Sequence, residues 1–294
     1  RLQMASPAPS FLPTASPVSE GSRLLHWVFK VGNLKKSLEF YEGVMGMKVL
    51  RHEEFNQGCE ATCNGPYARP WSKTMVGYGS EEHHFVFELT YNYGIKTYKR
   101  GNDLRHVHVK VPMTWIPPLG LLGVNGLYVL HDPDGYTWHV STDSYKPHVS
   151  KISLHATHLS QAKIFYHSKL GMAIIEETNH SIQLAWSEAS RTVLEFVHSN
   201  EIKHEDAFGR VAMAWKGSLE VVAEKIRASG LTIKHGPVTL DTPGKASVQV
   251  LIILDSDSHE ICLVEETGFD ELSAHKDGAD AIDWNARAEL GADQ

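Results

Sequence analysis

The chain is built twice from one pattern. LLHWVFKVGNLKKSLEFYEGVMGMKVL (residues 24–50) and SKISLHATHLSQAKIFYHSKLGMAII (residues 150–175) run in step without a gap, 125 residues apart. Phe40-Tyr41 thus matches Phe165-Tyr166, and Gly46-Met47 matches Gly171-Met172. A duplication of this kind obliges the two halves to share a fold. A length of 294 residues gives each half enough chain to bury a core. In one respect the copies differ: His26, at the head of the first strand, is answered by Lys151.

Within each half the pattern reads strand, helix, then more strands. LHWVFKV is a strand that Gly32-Asn33 breaks. Leu34, Leu38, Tyr41 and Met45 then fall on one helical stripe, which Gly46 ends. MKVLRHEEF, KTMVGYG and HFVFELTYN supply three further strands, completing a β-α-β-β-β module. RHVHVKV and GLYVLHDPDGYTWHVST mark a second module. GRVAMAW, SLEVVAEKIRASG and SVQVLIILDSDSHEICLVE are its counterpart in the second half. The helix plain in that counterpart is missing from the first half, because Pro112, Pro117 and Pro118 fall where it would run. The expected class is α+β, with two domains at 23–145 and 150–266 joined by the polar stretch Tyr145 to Ser150. Each domain has paired modules, and the first has a shortened second module. Residues 1–22, rich in Ser, Pro and Ala, are expected to be disordered.

Residues 267–294 read as an acidic tail, a solvated helix or a disordered end. From Glu265 onward, nine acidic residues stand against Lys276 and Arg287, which accounts for the whole net charge of −7 and leaves a neutral body. That balance argues against nucleic acid or an anionic membrane as a partner. No apolar run is long enough to span a bilayer. The cysteines, Cys59, Cys63 and Cys262, are too few for a disulfide scaffold, so a reducing compartment, cytoplasmic or mitochondrial, is expected. Cys59 and Cys63 read as structural or redox-labile residues.

Four polar residues lie inside strands of the first half: His26, Glu88, His106 and His139. Alternation sets each on the face opposite Trp27, Phe87 and Leu89, Val107, and Trp138. Imidazole and carboxylate groups from separate strands can surround one ion. A mixed set with open water positions would polarise a carbonyl oxygen. Against this, the chain has 18 histidines, and a strand histidine is commonly a hydrogen-bonded interior residue. Spacing alone leaves both readings open.

LLHWVFKVGNLKKSLEFYEGVMGMKVLR, YGSEEHHFVFELTYNYGIKTYKRGND and DPDGY closely resemble glyoxalase I and the wider vicinal-oxygen-chelate superfamily. The resemblance implies tandem glyoxalase-type domains whose paired modules form cupped mixed sheets. It also implies a lactoylglutathione-lyase-type isomerase, acting on the glutathione adduct of a 2-oxoaldehyde such as methylglyoxal with a divalent metal, Zn or Ni. Carried over position by position, the ligands are His26, Glu88, His106 and His139; at the last the family has glutamate. Glu88 and His139 are then the groups that would move the substrate proton. The second half has Lys151, Glu195, Arg210 and Cys262 at these positions, a degenerate site whose cations repel a divalent ion, so no cofactor is expected there.

Some relatives build each site from the first module of one domain and the second module of the other. That arrangement would set His26 and Glu88 with Arg210 and Cys262, and His106 and His139 with Lys151 and Glu195. The within-domain site is the expectation, because it alone gathers three histidines and a glutamate. Two functions follow from the resemblance: an isomerase with weak or lost activity, or a non-catalytic member of the fold that binds a small molecule or a protein. None of these motifs encodes an oligomeric state.

Overall fold

The computed structural model describes residues 23–118, 121, 123–242, 245–274 and 282–292; the expectation for residues 1–22 lies outside them. The first module runs β1 (Leu24–Lys30), α1 (Leu34–Leu38), β2 (Lys48–Phe55), β3 (Trp71–Gly77) and β4 (Val86–Asn92). Asn33 caps α1 by accepting from the Lys36 backbone N–H at 2.9 Å. The helix then widens into π-helical turns over Glu39–Val44, and Gly46, at φ +70°, stops it. Leu34, Leu38, Tyr41 and Met45 are all buried, as their stripe requires.

The second module keeps β5 (Leu104–Lys110), β6 (Leu127–His131) and β7 (Thr137–Ser141). Among the described residues no helix lies between β5 and β6, where the prolines fall. The third module is β8 (His148–Ala156), α2 (Leu159–Ala162), β9 (Ala173–Glu177), β10 (Ser181–Ala185) and β11 (Val193–His198). The fourth is β12 (Arg210–Trp215), α3 (Leu219–Ala228), β13 (Thr232–Asp241), β14 (Ser247–Leu254) and β15 (Glu260–Glu265). Gly171, at φ +89°, ends the helix of the third module as Gly46 ends that of the first.

The sheets do not follow the halves of the chain. One sheet has the order β13-β14-β15-β12-β1-β4-β3-β2, and the other β6-β7-β5-β8-β11-β10-β9. The two seams are antiparallel, β1 against β12 and β5 against β8, while β1 and β4, and β8 and β11, pair in parallel. The tandem α+β fold of cupped mixed sheets is therefore present, with each cup assembled from one module of each half.

The two modules of one half meet through the backs of their sheets. Trp138 of β7 packs against Phe29 of β1 and Phe87 of β4, at ring-centroid distances of 5.7 and 5.0 Å, and edge-on to Tyr41 at 5.5 Å. Strand alternation then turns His26, Val28 and Glu88 toward the front of the first sheet. A fragment ending at Tyr145 loses β12 from β1 and β8 from β5. Such a fragment should not give a folded monomer, and should regain structure only by self-association or on mixing with residues 146–294. Size-exclusion chromatography and circular dichroism check this; a cooperatively folding monomer would contradict the seams.

One sequence expectation changes here and one is sharpened. The acidic tail is not wholly solvated: α4 (Glu266–Ser273) and α5 (Trp284–Glu289) follow β15. Arg287, only 2% exposed, donates to Glu54 at 2.5 Å and to Ser72 at 2.9 Å and lies over the Tyr91 ring at 5.0 Å. Cys59 and Cys63 are joined as a disulfide across a Cα–Cα distance of 5.4 Å, whereas Cys262 is free and buried.

Candidate functional site

A cavity of about 540 Å³ opens in the cup of the first sheet, with His26 and Glu88 in its lining and Arg210 and Cys262 contributed by the other half. Register sets these residues in a row: His26 of β1 lies beside Ala212 of β12, which lies beside Cys262 of β15. His26 Nε2 and Glu88 Oε2 are 3.5 Å apart. Glu88 Oε1 accepts from Thr90 Oγ1 at 3.1 Å, and His26 Nδ1 is buried, with no hydrogen-bond partner among the described residues. Phe55, Trp71, Val250, Phe269 and Leu272 give the cavity apolar wall.

Burial and charge oppose each other at Glu88 and act together at His26. Burial pushes the Glu88 carboxyl above its usual range, opposed by Lys73, Arg51, Thr90 and Arg210. Burial and the same cations hold the His26 imidazole well below its usual value, so it is neutral at pH 7. The cations are themselves anchored. Arg51 binds Glu81 at 2.5 Å and Glu53 at 2.7 Å, Lys73 lies 3.3 Å from Glu53, and Arg210 binds Glu260 at 2.5 Å and the Ala61 carbonyl at 3.0 Å. Fixed positive charge is thus held around a buried carboxyl.

The second sheet holds the other predicted residues. The His106 and His139 rings stack at 3.8 Å. Burial, His139, Arg105 and Lys151 push His106 down to about 3, and burial, Arg105 and Lys151 lower His139. Glu195 is consumed by Lys151 Nζ at 2.7 Å, Ser153 Oγ at 2.6 Å and Gln183 Nε2 at 3.2 Å.

The expected four-ligand centre of His26, Glu88, His106 and His139 is therefore corrected, because the sheets divide it in two. The degenerate quartet of Lys151, Glu195, Arg210 and Cys262 is divided the same way. Neither half-set suits a Zn or Ni ion. In the first cup His26 is the only histidine among the described residues that line the cavity, paired with Glu88, Arg51, Lys73 and Arg210 oppose further positive charge, and burial pushes the Cys262 thiol up to about 12. Among the described residues, no group of three ligand atoms within 4.8 Å of one another forms in either cup.

Sequence reasoning missed Arg51 and Lys73 as site residues. The signal for Arg51 was the alternation in RHEEF, which sets Arg51, Glu53 and Phe55 on one face, and that for Lys73 the alternation in WSKTM, which sets it with Trp71.

Two family models match the chain: "Glyoxalase/Bleomycin resistance protein/Dioxygenase superfamily" over residues 23–115, and "Glyoxalase domain-containing protein 4-like, C-terminal domain" over residues 158–272. Glyoxalase 1 of Caenorhabditis briggsae is 42% identical over 268 residues, covering 88% of this chain and 94% of that protein. Glyoxalase domain-containing protein 4 of Rattus norvegicus is 38% identical, covering 85% and 88%. The crystal structure of glyoxalase I from Zea mays superposes with a TM-score of 0.69 at 23% identity, covering 87% of this chain and 97% of that one. The two-sheet fold, the cup with its paired histidine and glutamate, and these likenesses agree: the chain belongs to the glyoxalase superfamily, in the family of glyoxalase domain-containing protein 4.

Proposed function

We propose that the cup of the first sheet is the ligand site, that it takes the glutathione adduct of a small 2-oxoaldehyde, and that Glu88 moves the proton in a lactoylglutathione-lyase-type isomerisation. The observation that carries this reading is the buried Glu88 carboxyl on the floor of the cavity, beside neutral His26 and within the field of Arg51, Lys73 and Arg210. Relatives named glyoxalase 1, and a lactoylglutathione lyase of Arabidopsis thaliana at 25% identity, support the substrate class.

The isomerisation balances within the substrate. The Glu88 carboxylate takes the proton from the hemithioacetal carbon, the enediolate oxygens develop negative charge toward the fixed cations, the Glu88 carboxylic acid returns the proton to the neighbouring carbon, and the hydroxyl proton passes from the first carbon's oxygen to the second's, leaving the thioester carbonyl and the new hydroxyl. The apolar wall excludes water from the intermediate. None of these steps uses an ion, in keeping with a donor set that does not fit one.

The test is turnover of methylglyoxal plus glutathione by chelator-treated full-length protein, with binding of an S-alkylglutathione measured alongside. Turnover that survives chelation supports the reading. Binding in the cup without turnover favours instead the non-catalytic reading, which the loss of the expected four-ligand set independently motivates. Failure of both measurements excludes the cup as a site for this ligand class.

A further inference from the structure

Away from both cups, Asp103, His204 and His259 bring one ligand atom each within 4.8 Å of one another. Asp103 immediately precedes β5, His204 lies ahead of β12, and His259 immediately precedes β15. His204 Nδ1 is 3.2 Å from Asp103 Oδ2. Its Nε2 donates to the Asp257 carbonyl at 2.8 Å, and His259 Nε2 donates to the His155 carbonyl at 2.8 Å. A carbonyl only accepts, so Nε2 carries the proton in both rings. Nδ1 is then the second nitrogen of each ring; that of His204 donates to the Asp103 carboxylate here and would offer its lone pair to an ion on releasing that proton. Backbone carbonyls that fix the tautomer and orientation of a histidine are the usual outer support of a metal ligand. With metal–ligand distances of about 2.0–2.1 Å, adjacent ligand atoms of a tetrahedral site lie roughly 3.3 Å apart, which the His204–Asp103 separation already matches.

The molecule contains its own control. Asp132 accepts from the backbone N–H of Tyr136 as Asp255 accepts from that of His259, each at 2.9 Å. Tyr136 Oη reaches the Lys30 carbonyl as His259 reaches that of His155. Arg100 lies over the Tyr136 ring at 5.7 Å as His204 meets the His259 ring at 5.1 Å. The repeat thus has Arg100, Tyr136 and Ala207 where this cluster has His204, His259 and Asp103. The same three positions carry two imidazoles and a carboxylate on one side of the pseudo-symmetric molecule and neither an imidazole nor a carboxylate on the other.

We propose that Asp103, His204 and His259 bind one divalent transition-metal ion of the Zn(II) class, which ties the strand β5 of the first half to the strands β12 and β15 of the second. Two imidazoles and a carboxylate are a suitable set for such an ion, with a remaining position for water. The site is independent of the proposed ligand cup and of any turnover there.

The test uses chelator-stripped full-length protein, titrated with Co(II) and followed by its visible absorbance, with Zn(II) competition and thermal melting in parallel. One equivalent of Co(II) should bind, and Glu88→Gln and His139→Ala should leave this unchanged. His204→Arg and His259→Tyr, which install the residues the repeat already tolerates, should weaken binding at least about tenfold. Zn(II) should raise the Tm of the wild-type protein and not that of His259→Tyr. No Co(II) uptake by the folded wild-type protein overturns the proposal. So does uptake that survives in His259→Tyr or is lost in Glu88→Gln. The Zn(II)-dependent rise in wild-type Tm remains decisive if a variant does not fold, since its absence also overturns the site.

Discussion

Glu88→Gln is expected to lower kcat/KM for the methylglyoxal–glutathione adduct by about 10²–10⁴-fold, the usual contribution of a positioned general base. The amide keeps the shape of the carboxyl, and the Thr90 hydroxyl can still donate to its oxygen, but it cannot take a proton. The variant should not be less stable at neutral pH. Burial raises the folded-state pKa of Glu88 above its unfolded value, so its favourable contribution is complete below the unfolded pKa and is lost as pH rises through the folded one. Above that window the charged carboxylate costs stability, and Gln removes the cost. Lost turnover with an equal or higher Tm separates a catalytic role from a structural one. The same shift predicts that wild-type kcat/KM falls on acidification at a pH above the ordinary glutamate value, under the joint influence of burial and of Lys73, Arg51 and Arg210. His26, held neutral, adds no protonation step near its ordinary value.

Trp138→Ala should destabilise the protein by about 3–5 kcal/mol, the range for removing a large aromatic from a packed interior. Trp138 is fully buried. It is the side chain through which the second sheet meets Phe29, Phe87 and Tyr41, and so fixes the back of the strands that present His26 and Glu88. Trp138→Phe, which keeps an aromatic contact, should cost less than half as much. Urea denaturation, with the slope compared between variants, measures both. A cost below about 1 kcal/mol for Trp138→Ala would contradict the back-to-back core, since substitutions of that size belong to surfaces.

Much of this arrangement was legible in the sequence. The paired Phe-Tyr and Gly-Met signatures reported the duplicated module, and Gly46 and Gly171 do end equivalent helices. Pro112, Pro117 and Pro118 fall where the described residues hold no helix, because proline both lacks the donor and blocks the preceding turn. Alternation in LLHWVFK and VFELTYN correctly placed His26 and Glu88 on one face. Which modules share a sheet was not legible. The free edge of β1 offers the same backbone donors and acceptors to β5 as to β12, and side-chain pattern records the faces of a strand rather than the identity of its neighbour. The four-ligand expectation failed at that step and carried the quartet of Lys151, Glu195, Arg210 and Cys262 with it. Arg287 was hidden for a different reason: an arginine in an acidic tail looks solvated until the tyrosines beneath it, from a distant strand, are known. Cys59 and Cys63, four residues apart, carried no signal that separates a disulfide from two free thiols.

The central claim is that the working cup is built across the halves, with Glu88 acting and His139 outside it. The direct measurement is steady-state turnover of methylglyoxal plus glutathione by wild-type, Glu88→Gln and His139→Ala proteins at equal fold integrity. The cross-half cup predicts that Glu88→Gln loses turnover by at least about 100-fold while His139→Ala stays within a few-fold of wild type. Loss in His139→Ala as deep as that in Glu88→Gln would contradict it and restore a single site within the first half.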